Sequence, residues 1–141
     1  MQISDLLRHK GSDVYTAEPS MSVTQLLAAL AEHRIGAVVV VQGEEIVGIV
    51  SERDIVRHLN TKGASVLQAS VAELMTTDLI TCDPHDSIDT IGARMTEERI
   101  RHMPVVSDGR LAGIITIGDV VAARIRQLEH DRGALESYIT G

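Results

Sequence analysis

Apolar residues recur along the first half of the chain at Val23, Leu26, Leu27 and Leu30, spacing that places them on one stripe of a helix. Ser22 precedes that stripe and Gln25 follows three residues later, the pairing of a capped helix start. A continuous run, Ala37–Val41, reads as a buried strand, Gly43 as a hairpin turn, and Glu45–Val50 as the returning strand. Ser51 then heads a second helix through Val56. The second half gives the same order: Ile80–Thr81 as a short extended piece matching Tyr15–Thr16, Ile88, Ile91 and Met95 as a helical stripe, Met103–Val106 as a strand, Asp108-Gly109 as a turn, and Arg110–Ile115 returning to a helix capped by Thr116. The pattern predicts a β-α-β-β-α unit, used twice.

The two halves align without a gap when the chain is shifted by 65 residues, Asp13–Leu59 onto Asp78–Arg124. Asp13, Thr16, Pro19, Ser22, Ala28, Glu32, Arg34, Ile35, Val40, Val41, Gly48, Ile49, Asp54 and Val56 each meet an identical residue. Such self-similarity is the signature of internal duplication. Around the repeats, Ile3–His9 reads as an N-terminal helix, "NTKGAS" as a flexible link, and Ser70–Glu73 as a capped turn ending near Met75. The polar segment from Arg124 reads as a helix interrupted at Gly133.

Composition narrows the function. The chain has 141 residues, 44% hydrophobic, with no Trp, no Phe and two Tyr, so aliphatic residues and Met must fill the interior. A net charge of −7 argues against nonspecific nucleic-acid or anionic-membrane binding. No apolar run reaches the roughly 18 residues of a membrane span, and the N-terminus lacks the layout of a secretory signal. The single cysteine, Cys82, rules out an internal disulfide and suits a reducing cytoplasm. The scattered histidines lack metal-ligand spacing, and no Gly-rich phosphate loop is present.

The candidate chemistry lies in "GIVSERD" (Gly48–Asp54) and "GIITIGD" (Gly113–Asp119). Each places a hydroxyl, Ser51 or Thr116, where a strand ends, and a carboxylate, Asp54 or Asp119, in the first turn of the following helix. A carboxylate can accept hydrogen bonds from vicinal hydroxyls, while free N–H groups at a helix start attract an anion. Helix-start capping accounts for the same residues, so the motif by itself leaves function open.

The whole pattern resembles the tandem cystathionine-β-synthase (CBS) domain pair, or Bateman module. The resemblance rests on the two units, on "GIVSERDIV" and "GIITIGDVV", and on "RIGAVVVV" and "RIRHMPVV", and covers about Val14 to Arg124. It implies a mixed α/β (α+β) fold in which two β-α-β-β-α units pack about a pseudo-twofold axis. The chain would divide into an N-terminal helix (1–12), CBS domain 1 (13–60), a linker (61–75), CBS domain 2 (76–126) and a C-terminal extension (127–141).

By the same resemblance the units bind adenosine-containing ligands: AMP, ADP, ATP, S-adenosylmethionine or NADH. Ser51, Asp54, Thr116 and Asp119 would hold ribose. Leu79, Ile80 and Ile100, and in the second cleft Val14, Tyr15, Ile35 and Ala37, would contact adenine. Arg53, Arg101 and His102 would face phosphate, with the Asp54 cleft the tighter. The implied protein is a regulatory adenine-nucleotide sensor rather than an enzyme, needs no cofactor, forms a homodimer, and acts on an unknown regulated protein. A dimerisation scaffold without ligand, and an enzyme acting on the bound nucleotide, are the other readings.

Overall fold

The computed structural model describes residues 1–11 and 13–140, so Ser12 and Gly141, at the ends of the two flanking segments, lie outside the described residues. Two compact units emerge, Asp13–Ile80 and Met1–Ser12 with Thr81–Gly141. We call them the Asp54 unit and the Asp119 unit.

In the Asp54 unit, β1 (Thr16–Ala17) pairs in parallel with β2 (Ala37–Gln42), which pairs antiparallel with β3 (Glu45–Ser51). The β2–β3 turn is Gly43-Glu44, with positive φ at Gly43 alone, the first central position that a type II′ turn reserves for glycine. The register slips between Val40/Val41, so that Val40 opposes Gly48 and Val41 opposes Ile46. The bulge, at Val47, bends β3 close to its turn, with regular pairing from Gly48 on to the hydroxyl-bearing end. Helix α2 (Val23–His33) begins on the expected capping box, with Ser22 Oγ accepting from the Gln25 N–H at 3.1 Å. It buries Val23, Leu26, Ala29 and Leu30. Leu27, expected on that stripe, is exposed, because the inward face continues through Ala29 instead.

The Asp119 unit repeats this plan with α5 (Ile88–Glu97), β4 (His102–Ser107), β5 (Arg110–Thr116) and α6 (Ile117–Thr140). Its hairpin has the same slip, between Val105/Val106. Ile88, Ile91 and Met95 are buried as the stripe predicted. The extended piece expected at Ile80–Thr81 is reduced to one parallel bridge, Cys82 with Val105.

Three expectations about the connecting segments change. The supposed flexible link is helical: α3 (Glu52–Lys62) continues past Val56 and passes into a 3₁₀ helix, Gly63–Gln68, which buries Val66. The linker assigned to 61–75 is therefore folded, and its α4 (Val71–Leu74) buries Val71 and Leu74 in the Asp54 unit core. Finally, α6 runs straight through Gly133. One helical glycine costs only about 1 kcal/mol, and Arg132 bonds Glu136 across it at 3.1 Å.

The flanking helices are counterparts. Gln2 precedes α1 (Ile3–Lys10) and bridges Ser87; Ser70 precedes α4 and bridges Ser22. Asp5 accepts from the Gln2 N–H at 2.9 Å, and Glu73 from the Ser70 N–H at 2.7 Å. Those backbone hydrogen bonds hold both carboxyls below the ordinary carboxylate range. Ile3, Leu6 and Leu7 are buried in the Asp119 unit just as Val71 and Leu74 are in the other. The helix ahead of each repeat thus completes the unit formed by the other repeat.

Candidate functional site

Where β3 meets α3, Ser51 closes a reciprocal cap. Its backbone N–H donates to Asp54 Oδ2 at 2.9 Å and its hydroxyl donates to the same oxygen at 3.1 Å. Asp54 is 8% exposed, the one polar residue among the described buried set. The side chain is accommodated this deep because its oxygens meet the free N–H groups at a helix start. Ile35 and Gly36 are half-buried and Ala37 buried; Ala37 pairs with Ser51, and the Glu52 N–H donates to the Gly36 carbonyl at 2.9 Å.

The second copy is built alike. The Thr116 N–H donates to Asp119 Oδ2 at 2.9 Å, and the Asp119 N–H donates to Thr116 Oγ1 at 3.0 Å. His102 opposes Thr116, and the Ile117 N–H donates to the Arg101 carbonyl at 2.9 Å. Each unit therefore brings the entry of its own middle strand to its capped helix start: Gly36 and Ala37 to Ser51 and Glu52, and Arg101 and His102 to Thr116 and Ile117.

The remaining candidates take varied places. Arg53 and Arg101 are exposed; Val14, Leu79, Ile80 and Ile100 are half-buried. Leu79 and Ile80 follow the bridge that joins Thr76 to Ile49 on the edge of β3. Tyr15 stacks on His33, with ring centroids 4.4 Å apart, and packs against the core of its unit.

Sequence reasoning passed over one residue. Lys10 Nζ, at the end of α1, donates to Asp119 Oδ2 at 2.6 Å and to the Ile114 carbonyl at 2.9 Å. Burial acts to raise the Asp119 pKa, but the Lys10 hydrogen bond, the Thr116 N–H and the lysine charge outweigh it, leaving the carboxyl below its ordinary value. No local signal could have revealed a contact spanning 109 positions.

Two other features lack this chemistry. A groove of about 310 Å³ between α5 and α6 is lined mainly by apolar groups, including Ile88, Gly92, Val120 and Ile125, and holds neither hydroxyl–carboxylate pair. Among the described residues, no three His, Cys, Asp or Glu converge as a metal site. Cys82 is buried, and that burial, with Asp86 and Asp83 nearby, pushes its thiol up to about 12. The native protein is expected to resist iodoacetamide at about pH 8 and to react fully once denatured, because the nucleophile is the thiolate. Mass spectrometry would show it, and rapid native labelling would contradict it.

A bulged hairpin that delivers a hydroxyl and a carboxylate to a helix start, present twice, defines a duplicated α/β repeat domain. Comparison with known proteins gives the family. The CBS domain profile matches residues 3–61 and 71–126, and the chain belongs to the CBS domain family. A mitochondrial CBS domain-containing protein of Arabidopsis thaliana is 33% identical over 99% of this chain and 72% of its own. The crystal structure of a CBS-domain containing protein from Agrobacterium tumefaciens is 44% identical, covers 88% of this chain and 99% of its own, and superposes with a TM-score of 0.85. The CBS domain pair of protein MJ0100, solved with 5′-methylthioadenosine and S-adenosyl-L-methionine, is 25% identical, covers 90% of this chain and 98% of its own, with a TM-score of 0.80. Among the described residues no helix is long and apolar enough to cross a membrane.

Proposed function

We propose that this chain is a regulatory module for an adenosine-containing ligand (AMP, ADP, ATP, S-adenosylmethionine or NADH), with Asp54 and Asp119 as ribose acceptors. The observation that carries the reading is the twofold occurrence of a carboxylate held at a helix start beside a hydroxyl at a bulged strand's end. The ligands of the MJ0100 pair support the chemical class. The adenine contacts from Leu79, Ile80, Ile100, Val14, Tyr15, Ile35 and Ala37, the phosphate contacts from Arg53, Arg101 and His102, and the joining of residues from both repeats around one ligand belong to this proposal.

Ligand acts by a population shift: it binds one arrangement of the two units better than another, and an unidentified partner reads the difference. The proposal includes a homodimer in a cytoplasmic setting. The test is calorimetry of nucleotide-stripped protein against the five ligands. Losing a charge-assisted acceptor costs about 1.5–3 kcal/mol, so Asp54→Ala is expected to weaken binding about ten-fold or more. Undiminished affinity in that variant would end the assignment of Asp54. A dimerisation scaffold is the second reading. It is favoured by the Lys10 ammonium already seated on Asp119, and silence toward all five ligands would move it to first place.

A further inference from the structure

We propose that Lys10 is the residue that makes the two ribose acceptors unequal, weakening the Asp119 site toward a neutral sugar diol while the Asp54 site is left unopposed. This rests on the ribose reading given above. The ammonium has three N–H donors; one is spent on Asp119 Oδ2 at 2.6 Å and one on the Ile114 carbonyl at 2.9 Å. Asp119 Oδ2 also takes the Thr116 N–H. A vicinal diol approaching this carboxylate meets an acceptor whose charge is already paired, with Oδ2 taken by the ammonium and the Thr116 N–H.

The Asp54 unit is arranged otherwise. The Ile49 carbonyl, equivalent to that of Ile114, accepts the backbone N–H of Thr76 at 2.8 Å. Asp54 Oδ2 receives only neutral donors, the Ser51 N–H and a hydroxyl free to rotate toward a ligand. Among the described residues no lysine or arginine forms an ion pair with Asp54. The reason is legible in the flanking helices. Matching Gln2 to Ser70 and Asp5 to Glu73 brings Lys10 onto Asp78, an anion, and α4 stops at Leu74, short of it. One flanking helix carries a cation to its carboxylate; the other cannot.

Lys10 sits on a docked helix, since Ile3, Leu6 and Leu7 are buried, so the side chain can leave without undocking α1. The pair is partly solvated, with Lys10 and Asp119 side chains 33% and 25% exposed. An ion pair of that kind is worth on the order of a five-fold change in an equilibrium constant.

The experiment measures adenosine, which has no phosphate for Lys10 to attract, binding to the full chain by calorimetry in an Asp54→Ala background. Lys10→Met, with Lys10→Gln as a second neutral variant, is expected to tighten binding about five-fold. Lys10→Arg, which retains the cation, should keep the weak value, and adding Asp119→Ala to Lys10→Met should abolish the gain. Circular dichroism would verify that α1 is retained. Equal or weaker binding by both neutral variants overturns the role of Lys10. If the unsubstituted chain binds adenosine in an Asp54-dependent way, that failure touches Lys10 alone. If no variant binds adenosine, the ribose reading falls and this inference with it.

Discussion

A chain lacking residues 1–10 is expected to lose the Asp119 unit while keeping the Asp54 unit. Ile3 is 0% exposed and Leu6 2%, and Leu7 is buried against Gly113. Burying an aliphatic side chain of this size contributes about 1.5–3 kcal/mol. The three together amount to roughly 5–9 kcal/mol, comparable to the whole stability of a small domain. The deletion also removes the backbone hydrogen bonds from the Ile3 and Ser4 N–H groups to the Asp86 and Pro84 carbonyls, at 2.9 and 2.8 Å. Hydrogen exchange read by mass spectrometry would report the outcome. Amides of β4 and β5 should lose protection while those of β2 and β3 retain it. Native protection in β4 and β5 would show α1 to be an accessory.

The second large effect separates the two copies of one glycine. A Cβ at Gly48 would lie 2.8 Å from Met75 Sδ and 3.0 Å from the Thr76 carbonyl oxygen. The methionine tip can rotate. The carbonyl cannot, because Thr76 and Ile49 exchange two backbone hydrogen bonds of 3.0 and 2.8 Å. Gly48→Ala is expected to cost about 2 kcal/mol as an overpacking substitution. At Gly113 the near atoms are the Cδ2 and Cδ1 ends of Leu7, at 2.7 and 3.3 Å. That side chain can turn aside, and replacing a strand glycine returns about 0.5–1 kcal/mol. Gly113→Ala should therefore cost less than half as much. Urea midpoints at unchanged slope measure both, and equal losses would refute the distinction.

Local chemistry was legible where a few neighbouring residues decide the outcome. Ser22 with Gln25, Ser51 with Asp54 and Ser70 with Glu73 all cap the helices their spacing predicts. The turns at Gly43 and Asp108-Gly109 fall where their backbone freedom is needed. The hydroxyl–carboxylate pairs were found because they repeat at a fixed offset. Other features escaped for equally physical reasons. Gly133 reads as a breaker, yet a single glycine is too weak to stop a helix flanked by good formers. Residues 60–65 look like a flexible link because Gly63 and its small neighbours give no hint of the buried anchor that follows, Val66. The kinship of α1 and α4 was hidden by its own offset, 68 residues instead of 65, which a gapless alignment steps over. Lys10 meeting Asp119 depends on which unit α1 joins, and no periodicity encodes that.

Because each repeat borrows its leading helix from the other's stretch of chain, a break in the polypeptide between residues 62 and 70 would not yield two self-sufficient halves. The upstream fragment would carry α1 without the hairpin it fits, and the downstream fragment would carry α4 in the same predicament. Only by recombining could the fragments restore both cores. Fission of the gene at that point would thus create an obligate two-chain protein, and ancestral single repeats would have had to exchange these helices between copies before fusion made the exchange permanent.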